Sequence, residues 1–138
     1  MPKTTKSGQP KQSELPSTLR RSPKKAQATF TNAYDAAADQ YHDEERAHRV
    51  AFAAVKHTHE KVGDHWEAKE RSGPSDPQAE GGANTSRETA GGVDANASKS
   101  HLLDVARRLD VSGRSKMNKA DLVTAIQKAN EKATRRSR

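Results

Sequence analysis

The chain has 138 residues, a net charge of +7, 30% hydrophobic and 4% aromatic residues, and no cysteine. So small an apolar fraction excludes one core spanning the whole length and points to one or two very small modules plus disordered chain. The missing cysteines exclude a disulfide framework and a thiolate metal site, and the longest apolar run, Val50 to Val55, falls far short of the ~20 residues of a membrane span.

The charge is unevenly spread. Residues 1–25 carry seven Lys/Arg against one acid, and residues 94–138 carry eleven against five. Residues 26–71 hold six basic and nine acidic groups instead. An acidic middle between basic ends suits polyanion contact at the ends and another role in the middle. The N-terminus is basic but lacks the apolar stretch of a signal peptide. A soluble, cytoplasmic and nucleoid-associated protein without a membrane span is the expectation.

In chain order, residues 1–14 are polar and expected to be a disordered basic arm, either a nucleic-acid contact or a solubilising tail. A first module is expected over residues 15–70. Ser22-Pro23 has the form of a helix start, with Ser as N-cap and Pro at the first position. Ala26, Phe30, Ala33, Tyr34, Ala37 and Tyr41 then recur at helical spacing. Asp43 is the expected N-cap of a second helix, with Glu44 and Glu45 at the positive end of its dipole. Its stripe is Ala47, Val50, Ala51, Ala54 and Val55, widened by Phe52, and Gly63 and Trp66 follow. So short a connection requires a helical hairpin, with Phe30, Tyr34 and Tyr41 against Val50, Phe52 and Val55. Leu15 and Trp66 are expected to cap it through short extended segments, with room for a two- or three-stranded sheet. Truncating Phe30 or Phe52 in so small a core should cost ~3–5 kcal/mol.

Five of the six histidines lie between positions 42 and 65. A helical metal site needs ligands at i and i+4. His57 and His59 are two apart, and Phe52 stands where a partner for His48 would be, so no metal is expected. Glu44 and His48 could form a surface couple. With no catalytic triad pattern, phosphate loop or nucleotide fingerprint, no catalytic residue and no cofactor are expected. Asp35, Asp39, Asp43, Glu44 and Glu45 form an acidic face, read either as a docking surface for a protein partner or as a solvated helix face.

The residues Leu15-Pro16, Lys25-Ala26-Gln27, Phe30-Thr31-Asn32-Ala33-Tyr34 and Ala47-His48-Arg49-Val50-Ala51-Phe52-Ala53-Ala54-Val55-Lys56-His57, followed by Trp66, resemble the ChaB family. These are small bacterial proteins described as cation transport regulators. The resemblance implies a compact helical fold with a small sheet, and a protein partner that is a cation/proton antiporter or its regulator. The chain departs from it in carrying Phe52 where a Trp is expected and in a shorter helix connection.

Residues 71–97 contain two Gly pairs and one large apolar residue, Val93, and read as a flexible linker between separate modules. A helix–extended loop–helix is expected over 98–134. Leu102, Leu103, Ala106 and Leu109 form its first stripe, and Asp110 to Lys116 break it. Asn118 caps the second helix, with Met117 and Leu122 at the staple positions, and Leu122, Val123, Ile126 and Ala129 form the second stripe. Leu102-Leu103, Ala106, Leu109, Val111, Gly113, Met117, Lys119, Asp121-Leu122 and Ala125-Ile126 resemble the Rho-N-terminal-domain and SAP-like class, which implies binding to DNA or RNA. The charges agree: Arg107, Arg108, Arg114, Lys116, Lys119, Lys128 and Lys132, with Arg135 and Arg136 in a basic tail over 135–138, are candidate phosphate contacts. The alternative is a solvated basic face. The expected fold class is mainly α, with Phe30, Tyr34, Tyr41, Val50, Phe52, Val55, Trp66, Leu102, Leu109, Leu122 and Ile126 as core.

Overall fold

The computed structural model describes residues 3, 10–69, 71–73 and 91–137. Among them are five helices and one two-stranded antiparallel ribbon. A 3₁₀ turn (Gln12–Glu14) and a single-turn helix α1 (Ser17–Arg20) lead into α2 (Lys24–Tyr41) and α3 (Glu44–Thr58). Strands β1 (His59–Val62) and β2 (His65–Ala68) follow directly. The second half contributes α4 (Lys99–Arg108), a 3₁₀ turn (Arg114–Lys116) and α5 (Lys119–Arg136).

Only His42 and Asp43 separate α2 from α3. His42 reverses the chain at φ 53, and the Asp43 carboxylate accepts from the backbone N–H groups of Glu45 and Arg46. Because the turn is so tight, α2 and α3 pack along their lengths. Phe30, Tyr34, Ala37, Ala47, Ala51 and Val55 are buried between them, with Val50 and Phe52 partly covered. His48 lies inside this stripe, its ring centroid 5.8 Å from Phe30 and 5.2 Å from Tyr34, and so does not form the surface couple with Glu44. Tyr41 also departs from expectation. It is 37% exposed at the hairpin tip, where the Arg46 guanidinium lies 3.9 Å over its ring.

Two polar side chains have structural work that their sequence context did not show. Ser22 does not cap α2, whose N-cap residue is Pro23. Its hydroxyl instead donates to Thr18 O and accepts from the Trp66 backbone N–H at 2.8 Å, tying α1 to β2. Gln27, 4% exposed, donates to Leu19 O at 2.9 Å and thereby satisfies a carbonyl at the end of α1. Of the expected disordered arm, Lys3 and residues 10–14 are described. Lys3 is 8% exposed and donates its backbone N–H to Asp35 at 2.7 Å. At the other end α5 continues as helix through Arg136, into the expected tail.

The ribbon is a wall shared by two cores. Side chains alternate across a strand, so His59, Lys61 and Trp66 lie on one face and Glu60, Val62, His65 and Glu67 on the other. Trp66 completes the core of the hairpin. Val62 belongs to a second core with Val93, Ala97, Leu102, Val105, Ala106, Leu122 and Ile126, against which Leu109 and Met117 are partly covered. The helix–loop–helix therefore packs directly on the ribbon. Residues 74–90 of the expected linker lie outside the described residues. Gly92, Val93, Asp94 and Ala97 at its end are buried against the ribbon, and the Lys61 backbone N–H donates to Gly92 O at 2.9 Å. Gly92 is required there: at φ +97, a Cβ would come within 2.8 Å of the Trp66 ring.

Asn130 makes this contact specific. It is 2% exposed on the inner side of α5. Its Oδ1 accepts from Gly63 N at 2.6 Å, and its Nδ2 donates to Lys61 O at 2.9 Å. Gly63 opens the two-residue hairpin turn at φ 68, a conformation glycine adopts without a Cβ penalty.

Two outcomes are expected in urea unfolding. Phe30→Ala should cost ~3–5 kcal/mol because Phe30 is fully buried, and Phe52→Ala about half as much because Phe52 keeps partial exposure. Asn130→Ala should cost ~2–4 kcal/mol, since it leaves a buried donor and a buried acceptor without partners. A loss under ~1 kcal/mol would show that water replaces the amide.

Candidate functional site

The candidate basic residues separate into two groups according to what the fold places beside them. Three are engaged. Arg107 pairs with Asp104 at 2.6 Å, and Arg114 turns back to Val111 O at 3.2 Å. Arg108 reaches across to the ribbon, where its two terminal nitrogens donate to the Glu67 carboxylate at 3.0 and 2.6 Å. That fork is the strong geometry for a guanidinium and a carboxylate.

The other six, Lys116, Lys119, Lys128, Lys132, Arg135 and Arg136, are exposed and form no ion pair among the described residues. Two local devices place Lys116 and Lys119. Asp110 at φ 57 and Gly113 at φ 73 turn the chain after α4, and the Asn118 side chain accepts from Asp121 N at 2.8 Å to start α5. The lysines thus bracket the α5 N-terminus, where backbone N–H groups and the helix dipole favour anions. Lys128, Lys132 and Arg135 follow at i, i+4 and i+7. At 3.6 residues per turn they lie opposite the buried Leu122, Ile126 and Asn130 and form a cationic stripe ~10 Å long.

The acidic face is not an open cluster. Asp43 is consumed as the N-cap of α3, and Asp35 accepts from Lys3 N. Glu45 lies 3.5 Å from Arg49, one turn along. Asp39, Glu44 and Glu45 are exposed around the tip that presents Tyr41 and Arg46.

Charges of the ribbon, absent from the sequence-derived candidates, form a further polar cluster. Buried Glu60 lies 2.7 Å from His101 Nε2. Its carboxyl is pushed above the usual range by burial, against the pull of His101. His65 bridges Asp64 at 3.2 Å and Glu67 at 2.7 Å. Asp64 is held below the usual carboxylate range, chiefly by the Ser137 hydroxyl that donates to it at 2.5 Å and by His65. Glu67 is held low chiefly by Arg108. Buried Lys69 donates to Lys56 O and Gly73 O, with Asp94 at 4.0 Å. Residues 59–68 open on His59-Glu60-Lys61 and show no sustained alternation of charged and apolar residues, so no periodicity marked this cluster in the sequence. Among the described residues, no group of three His, Asp or Glu side chains is placed to hold a metal ion, and no helix is long and apolar enough to cross a membrane.

Asp64 and Glu67 both titrate lower in the folded chain than in the unfolded chain. Their contribution is therefore fully present above the ordinary carboxylate range, about pH 4, and is lost as the pH falls through their depressed values. The share of the thermal midpoint that these two carboxylates supply is expected to be lost as the pH falls below about 4. Asp64→Asn should lower the neutral-pH midpoint and make the acid limb shallower. An unchanged acid limb would show that Asp64 does not contribute to it.

The ChaB family model matches residues 15–69, from the buried Leu15 through α1, the hairpin and the ribbon to Lys69. No curated protein and no solved structure gives a significant match. Residues 15–69 are thus a ChaB-like module, and the helix–loop–helix packs on its ribbon from outside the matched stretch.

Proposed function

We propose that the chain is a non-enzymatic regulatory adaptor, with a ChaB-like module that contacts a protein partner and a Rho-N/SAP-like helix–loop–helix that binds DNA or RNA through phosphates. The observation that carries the nucleic-acid reading is the set of six exposed cations without ion pairs among the described residues, three of them aligned on the outer side of α5. A cation already paired with a carboxylate gains little from a phosphate. An exposed and unpaired one gains a charge-assisted contact and releases a counterion. The only exposed large apolar side chain among the described residues is Tyr41, on the other module, which leaves little to stack bases. Binding should be dominated by phosphate contacts, with weak sequence preference. This reading puts the protein in the cytoplasm, in contact with the nucleoid.

A second reading rests on the hairpin tip. Tyr41 with Arg46 stacked on it, ringed by Asp39, Glu44 and Glu45, combines residue types that anchor protein interfaces. Here the module regulates a cation/proton antiporter by direct contact. Reversal of Asp39 and Glu44 should abolish capture of a purified antiporter's soluble loops, and capture insensitive to both changes would remove this reading.

Fluorescence anisotropy of the full chain with a labelled duplex across a salt series tests the first. With up to six cations engaged, log K should fall with log salt at a slope near −5. Lys128→Glu with Lys132→Glu should weaken binding at least tenfold at ~50 mM salt, with helical circular dichroism retained. Salt-independent binding, or unchanged affinity in the double variant, would overturn the assignment.

A further inference from the structure

The Arg108–Glu67 fork joins a cation of the helix–loop–helix to a carboxylate of the ChaB-like ribbon. Building on the nucleic-acid reading above, we propose that the ribbon carboxylate occupies a phosphate seat on α4, so that a polyanion and Glu67 compete for Arg108.

Three observations carry this. The fork has the bidentate geometry with which a guanidinium takes either a carboxylate or a phosphate, so Glu67 stands in for the competing ligand. The pair is accessible: 43% of the Arg108 side chain and 29% of the Glu67 side chain are exposed, so an incoming phosphate can reach the guanidinium without unfolding the chain. The competition is real because the fork is bidentate, so the carboxylate holds Arg108 against a phosphate until salt or a denser polyanion displaces it. Finally, Glu67 would not be stranded on release, because His65 Nε2 lies 2.7 Å from it on the same face of the ribbon. The second core and the Asn130 clamp are independent of the fork and keep the two modules in place while Arg108 changes partner. The ChaB-like module thereby tunes how many phosphates the helix–loop–helix holds.

The test uses the full chain and a labelled 20-base-pair duplex, with anisotropy read from ~50 to 300 mM salt. Glu67→Gln should tighten binding on the order of tenfold at ~50 mM salt and steepen the salt slope by about one, since one further cation meets a phosphate. Asp39→Asn removes an equal charge from the exposed hairpin tip, away from the α5 stripe, without releasing a paired cation. It should leave the slope as it was. Adding Arg108→Gln to Glu67→Gln should cancel the gain in affinity and slope. Binding by the unmodified chain with no change in Glu67→Gln, or an equal change in Asp39→Asn, overturns the competition and leaves the nucleic-acid reading standing. Binding by neither the unmodified chain nor Glu67→Gln overturns both. Binding by Glu67→Gln alone supports the competition and makes the unmodified chain the closed form.

Discussion

A single amide holds the two halves of the described structure in register. β1 is an edge strand, and Lys61 turns its backbone groups away from β2, where an unpaired row would invite pairing with another chain. Gly92 O takes the Lys61 N–H, while Asn130 takes the Lys61 carbonyl and the Gly63 N–H. The Asn130 side chain thus acts as a short strand for a ribbon that has none. Since a buried Asn satisfies such a pair of groups in only one placement, it also sets where α5 sits. The packing of Val62 and the closure of Gly92 on Trp66 depend on that placement.

The same wall arranges charge. Its inner face carries Trp66 into an aromatic stack with Phe52, whose ring centroid lies 6.2 Å away. Its outer face carries Glu60 and Glu67 to His101 and Arg108. Acids gathered in the middle of the chain consequently neutralise part of the basic C-terminal half, and they do so only on the side of α4 that meets the ribbon. The outer side of α5 keeps its cations. A chain of net charge +7 is therefore not uniformly basic where the two halves meet, and a polyanion encounters a defined stripe rather than a diffuse field.

Local patterns were readable. Asp43 and Asn118 are caps because a short acceptor side chain ahead of an apolar stripe has few other places to bond, and both caps are formed. The two stripes of the hairpin and those of the helix–loop–helix follow the period of 3.6. Ser22 and Tyr41 depart from their patterns for a common reason. Both sit at the end of a pattern, where the next segment decides whether a residue caps, packs or faces water. Ser22 was taken by Trp66, and Tyr41 lost its cover because the chain reverses at His42.

The sequence by itself determined which segments become helices, where the hairpin turns, that the apolar content supports only small cores, and that cations gather in the second half. These follow from local propensity, periodicity and composition. Tertiary structure decided that the two small cores share one ribbon, that Asn130 is a clamp rather than a surface residue, and which cations are paired. Arg107 and Arg114 bond within one turn of themselves, whereas the Arg108 fork and the Asn130 clamp depend on partners 41 and 69 residues away, Glu67 and Lys61. No local pattern encodes such a distance. It is set by the folded shape, which brings buried polar groups together because each would be costly alone.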